Sequence, residues 1–141
     1  MSLCLDASVL VPTLIDEAAS AAVGRFLMDA TQPLIVSDFA ATEVASALSR
    51  LVRMGLLTDD VADARLREFD AWRALATAGI DVQPSDFRLA DIFVRRFDLG
   101  LRAPDALHVA VCRRADLQLA TLDHRLAVAA DGLGVRVRVP A

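Results

Sequence analysis

The sequence predicts a three-layer α/β/α fold: a mostly parallel sheet with helices on both faces and a helical hairpin inserted between two strands. Three observations carry that prediction. Short apolar runs alternate with longer amphipathic segments along the chain, the βαβ rhythm of a parallel sheet. The first run, Leu3-Cys4-Leu5, is apolar on consecutive residues, as expected of a strand covered on both sides. The chain has 141 residues, 55% of them hydrophobic and 24% charged, enough for one domain with its own core, taken to span residues 1–141.

In order along the chain, Leu3-Cys4-Leu5 reads as the first strand and ends at Asp6. Ala7 to about Leu14 and Ala18 to Asp29 follow as helices, with Pro12 near a first turn or a break. Gln32-Pro33 punctuates before a second strand, Leu34-Ile35-Val36. Ser37-Asp38 caps a helix from Phe39 to about Met54, which Gly55 stops. Thr58, with Asp59 and Asp60, opens another helix towards Thr77, closed by Gly79. These two helices form the inserted hairpin. Ile80-Asp81-Val82 is expected as a third, weaker strand, and Ser85 as the cap of a helix through about Phe97. Ala103-Pro104-Asp105 begins a helix to Arg114, with proline in its favoured first turn. Leu117 to Ala120 is the fourth strand, Asp123 caps a short helix to Ala130, and Val135 to Val139 is the last strand.

Composition removes several function classes. All fifteen basic residues are arginine. Without lysine there is no Walker-type P-loop and no Schiff-base chemistry. There is no tyrosine to act as a general acid. Two cysteines, Cys4 and Cys112, form neither a CxxC motif nor a disulfide framework, which makes a reducing cytoplasm the expected compartment. The N-terminus lacks the basic region of a signal peptide, and no apolar run is long enough to span a membrane. A net charge of −4 argues against coating nucleic acid through a basic surface, yet allows local engagement of it.

Four acids stand out. Asp6 and Asp123 lie just past apolar strands, where open parallel sheets bind ligands, although each can also serve simply as a helix cap. Glu43 sits at the edge of the apolar stripe formed by Ala40, Val44, Ala47, Leu48 and Leu51. Asp105 opens a helix that is apolar on nearly every side, and a helix dipole alone does not offset burying a carboxylate. Converging carboxylates repel and call for cations. An all-oxygen set without histidine or cysteine suits Mg²⁺ or Mn²⁺ rather than zinc. Such ions activate water and steady the charge on phosphate oxygens during in-line displacement, so the set fits phosphodiester hydrolysis.

Asp6-Ala7-Ser8-Val9-Leu10-Val11, Glu43 within Ala41-Thr42-Glu43-Val44-Ala45-Ser46-Ala47-Leu48, Leu101-Arg102-Ala103-Pro104-Asp105-Ala106-Leu107-His108-Val109-Ala110, and Leu119-Ala120-Thr121-Leu122-Asp123-His124-Arg125-Leu126 together resemble the PIN domain. Within that family the nearest resemblance is to VapC-type ribonuclease toxins of bacterial toxin–antitoxin pairs. It spans essentially the whole chain, and the first and third segments are its specific parts. The resemblance implies that Asp6, Glu43, Asp105 and Asp123 are catalytic metal-binding acids, with Ser8 and Thr121 as supporting hydroxyls. It further implies Mg²⁺, with Mn²⁺ able to substitute, an RNA substrate, a cognate antitoxin, a homodimer and a toxin–antitoxin hetero-oligomer. Ala127 follows one turn after Asp123, so no fifth acid stands there.

Arg102 and Arg125 flank the acids in sequence and are candidates for RNA phosphate contacts, or for salt bridges to those acids. His108 reads as a core histidine, His124 as a helix-start residue, and both cysteines as core fillers. Phe69 and Trp72 read equally as core or as a partner-binding face. A non-catalytic interaction module on the same scaffold is the alternative to a nuclease, and four mutually repelling acids speak against it. A haloacid-dehalogenase-like phosphatase would need Asp-x-Asp and a lysine, and Asp6-Ala7-Ser8 provides neither.

Overall fold

A computed structural model describes all 141 residues, Met1–Ala141. Five strands form one all-parallel sheet: β1 (Leu3–Leu5), β2 (Leu34–Ile35), β3 (Thr77–Ala78), β4 (Gln118–Ala120) and β5 (Val137–Arg138). Their spatial order is β3-β2-β1-β4-β5, so the chain winds outward from β1 in both directions. Seven helices cover the sheet: α1 (Ala7–Leu14), α2 (Ser20–Asp29), α3 (Asp38–Arg53), α4 (Asp59–Ala76), α5 (Pro84–Val94), α6 (Ala103–Ala115) and α7 (His124–Gly132). None is long and apolar enough to cross a membrane.

The pleat of β1 divides the core into the two outer layers. Leu3 and Leu5 face one side, packed with Val9, Leu10, Val23, Val44, Leu48 and Phe69 from α1 to α4. Cys4 faces the other, packed with Phe93, Leu107, Val109, Cys112 and Leu126 from α5 to α7. The pairing register keeps the layers in phase: Cys4 lies opposite Leu119 on one face, and Leu5 opposite Ala120 on the other. Alternate side chains of a strand point to opposite faces, so Leu3-Cys4-Leu5 must be apolar throughout.

The local signals mostly act where they stand. Ser37 caps α3 through Ala40 N–H, and Thr58 caps α4 through Val61 N–H. Gly55, at φ +73°, turns the chain between them in a left-handed conformation that suits glycine. Pro12 lies inside α1, which ends two residues later. Two expected elements differ. The third strand is Thr77–Ala78, directly after α4, rather than Ile80-Asp81-Val82; Ile80 and Val82 pack against the α5–α7 layer instead. The following helix is capped by Gln83 rather than Ser85, because the Asp86 carboxylate turns back to accept from Gln83 N–H at 2.8 Å. That helix ends at Val94, and Phe97–Leu99 form a separate 3₁₀ turn.

Candidate metal and nuclease site

β1 and β4 are neighbours from which the chain departs in opposite directions, and the crevice beyond their carboxyl ends is the natural ligand site of such a sheet. Asp6 follows β1 at once, and its N–H donates to the Ala120 carbonyl at 3.2 Å. The carboxylate is buried, at 5% exposure, and Oδ1 caps α1 by accepting from Val9 N–H at 3.3 Å. Two hydroxyls complete its surroundings. Ser8 Oγ donates to Oδ1 at 2.5 Å, and Thr121 Oγ1 donates to Oδ2 at 2.6 Å. Each hydroxyl in turn accepts from the backbone after β4: Leu122 N–H reaches Ser8 Oγ at 2.8 Å, and Asp123 N–H reaches Thr121 Oγ1 at 3.0 Å. The start of α1 is thereby laced to the end of β4, with the Asp6 carboxylate at the knot. Burial raises the Asp6 pKa above the ordinary carboxylate value, and bonds from Ser8, Thr121 and Val9, with the charge of His108, only partly offset it.

Asp123 caps α7, its Oδ1 accepting from Leu126 N–H at 3.2 Å. Capping leaves room for a second role at both acids: of about four acceptor positions on a carboxylate, Asp6 uses three and Asp123 one. Glu43 stands on the second turn of α3, and its Oε1 is hydrogen-bonded to His108 Nε2 on α6. The His108 ring lies tilted against Phe39, with centroids 4.9 Å apart. Burial disfavours charging this ring, but the Glu43 bond and charge, with Asp6 and Cys4 behind them, raise its pKa above that of free histidine. The core position expected of His108 holds, at 4% exposure. What the sequence reading missed is its bond to Glu43. The signal was its place three residues after Asp105, which puts both on one side of α6.

Asp105 is half-buried in the first turn of α6 and neither caps the helix nor accepts any hydrogen bond. Burial raises its pKa, and the neighbouring charge of Asp123 raises it further; Arg102 and His108 pull it down, while Glu43 adds to the rise. All four acids thus lie at one end of the sheet, with Asp105 coupled electrostatically to Asp123 and Glu43. No three His, Cys, Asp or Glu side chains converge tightly enough to hold an ion as they stand. The donor set still fits a hard divalent cation: it is all-oxygen, and Asp105 has no protein partner. Arg102 and Arg125 are both exposed and join no ion pair, so neither neutralises the acids by direct contact. Cys4 and Cys112 are buried and free of any disulfide. Phe69 is core, and Trp72, stacked on it at 6.2 Å, lines a groove of about 290 Å³ with Thr13, Leu14, Leu27 and Glu68.

Comparison with known proteins gives a consistent result. The sequence profile of the PIN domain matches residues 3–132. Ribonuclease VapC3 of Pyrobaculum aerophilum is 33% identical over 131 residues, covering 90% of this chain and 93% of that protein. The crystal structure of VapC20 from Mycobacterium tuberculosis, a sarcin–ricin-loop-cleaving toxin, superposes with a TM-score of 0.73 at 20% identity, over 91% of this chain and 95% of that one. DNA-bound VapBC from Salmonella typhimurium gives 0.71 at 10% identity, over 100% and 99%. At such identities the two structures speak to the fold.

Proposed function

This chain belongs to the PIN-domain family, and from that premise we propose that it is a metal-dependent endoribonuclease, the toxin of a toxin–antitoxin pair. The observation that carries the reading is Asp105, a half-buried carboxylate without a partner, set against Asp123 and Glu43. A scaffold has no use for such a group, whereas a cation does. Asp6, Glu43, Asp105 and Asp123 would hold Mg²⁺ or Mn²⁺. When bound, the ion activates water and offsets the charge developing on the phosphate oxygens.

The chain's own residues do the positioning. Ser8 and Thr121 fix both oxygens of Asp6, so its carboxylate enters the site in one orientation. His108 anchors one oxygen of Glu43 from within the core. Arg102 and Arg125, exposed and free of ion pairs, would meet phosphates of the RNA. The groove floored by Phe69 and Trp72 offers an apolar seat for a helix of the antitoxin. A cytoplasmic homodimer that assembles with the antitoxin into a hetero-oligomer completes the proposal.

The test is direct. Purified protein should cleave RNA in Mg²⁺ or Mn²⁺ and stop in EDTA, and Asp105→Asn should reduce the rate by at least about a hundredfold. Cleavage at full rate in EDTA would overturn the metal-dependent reading. A folded wild type that cleaves no RNA with either ion would favour the non-catalytic module.

A further inference from the structure

Resting on the metal-dependent nuclease reading above, we propose that His108 is a positioning residue that sets which divalent cation the acids prefer. By holding Oε1 of Glu43 it leaves that carboxylate one oxygen to give, which favours Mg²⁺ over Ca²⁺. The hold is built from two helices. Nε2 of His108, on α6, bonds Oε1 of Glu43, on α3. Phe39, one turn before Glu43 on α3, rests against the same ring, with centroids 4.9 Å apart. One face of α3 thus grips the imidazole twice, by packing and by a hydrogen bond. A carboxylate only accepts, so the hydrogen lies on Nε2, and that nitrogen donates whether the ring is neutral or charged. His108 is 4% exposed, whereas the Glu43 side chain keeps 28% of its surface open, so the bond reaches outward from the core.

Asp6 and Asp123 are restrained by other means. Asp6 has one acceptor position left, on Oδ2, and Asp123 has Oδ1 committed to Leu126 N–H. Both are short side chains fixed as caps of their own helices. Glu43 is longer and its only hydrogen bond is the one from His108. Without that bond it has the rotamer freedom to turn both oxygens to an ion. Mg²⁺ demands near-octahedral geometry, keeps several of its waters and takes few carboxylates. Ca²⁺ accepts about six to eight oxygens in flexible geometry and readily takes both oxygens of one carboxylate. A Glu43 confined to Oε2 suits the first ion and withholds a donor from the second. An ion that keeps its waters also has one to activate, so the preference serves hydrolysis.

The experiment uses the full chain. Mn²⁺ binding is read from the EPR signal of the free ion, and Mg²⁺ or Ca²⁺ is then titrated in to displace it, which gives a Mg²⁺/Ca²⁺ preference for each protein. Wild type is compared with His108→Phe, which keeps a ring and loses the donor, and with His108→Gln, whose amide N–H stands close to where Nε2 stood. His108→Phe should shift the preference towards Ca²⁺ by about tenfold, the lower end of what removing a ligand's partner costs. His108→Gln, which retains a donor, should stay within about twofold of wild type. Affinities for Mg²⁺ and Ca²⁺ that fall together in His108→Phe, or do not change, overturn the proposal and leave the nuclease reading standing. A second measurement needs no variant. The chain has two histidines and His124 is exposed, so the buried Nε2–H of His108 is identifiable in ¹⁵N–¹H spectra of wild type. That signal should persist with Mg²⁺ bound, and its loss on Mg²⁺ binding overturns the proposal. A wild type that binds none of the three ions overturns the cation site and the metal-dependent reading with it.

Discussion

Asp105 costs free energy in the metal-free protein. Its raised pKa means that the stability linked to its proton is present at acid pH and lost as pH rises through the folded value. Metal-free wild type should therefore lose stability from about pH 4 upward relative to Asp105→Asn, with the variant equal or more stable at pH 7. Urea titrations of both proteins in EDTA at pH 4 to 8 read the difference directly. A variant less stable than wild type at every pH would assign Asp105 to the scaffold. Thr121 is the opposite kind of residue, since it serves Asp6 Oδ2 and Asp123 N–H at once. Thr121→Val keeps the shape, strands both partners, and should cost about 1–3 kcal/mol.

Between elements, the tie most worth testing joins α5 to α6 away from the acids. Arg114 donates through Nε to Asp86 Oδ1 at 2.7 Å and through Nη2 to Oδ2 at 2.9 Å, while Nη2 also donates to the Asp81 carbonyl. Asp86 is 1% exposed, so removing its partner leaves a buried charge, and Arg114→Met should cost about 3 kcal/mol in a denaturant melt. Burial alone would raise the Asp86 pKa, but the Arg114 and Gln83 bonds and the arginine charge hold it below the usual value. Its contribution is thus present above about pH 4 and lost as pH falls through the lower folded value, opposite in sign to that of Asp105. The same region shows where the sequence was hard to read. Thr77–Ala78 is a two-residue edge strand emerging straight from a helix, with no apolar run to mark it. Ile80 and Val82 carry the alternation of a strand but use it to pack on helices. Pairing partners, not local pattern, decided both. Ser37, Thr58 and Asp123 were legible because a cap is a local bond, read three residues ahead.

At the scale of the whole molecule, the order β3-β2-β1-β4-β5 is what sets Asp6 and Asp123 at the ends of adjacent strands. Asp6 and Asp123 were visible in the sequence as acids ending apolar runs. The crevice between their strands was not, because strand order is a property of long-range pairing. Asp105 was visible as a carboxylate on an apolar helix, and its lack of any partner emerged only with α3 and α7 placed around it. The Glu43–His108 bond joins residues 65 apart in sequence, and its local hint, His108 standing one turn after Asp105, names no partner. The central claim is that these acids form a cation site, and thermal unfolding with and without Mn²⁺ tests it most directly. A ligand that binds only the folded state at about a hundred times its Kd adds about 2.7 kcal/mol, which is several degrees for a chain of this length. Saturating Mn²⁺ should raise the Tm of wild type by that amount over EDTA, and should leave Asp6→Asn and Asp105→Asn within about a degree of their EDTA values. A wild type that gains nothing from Mn²⁺, or variants that gain as much as wild type, would contradict the account.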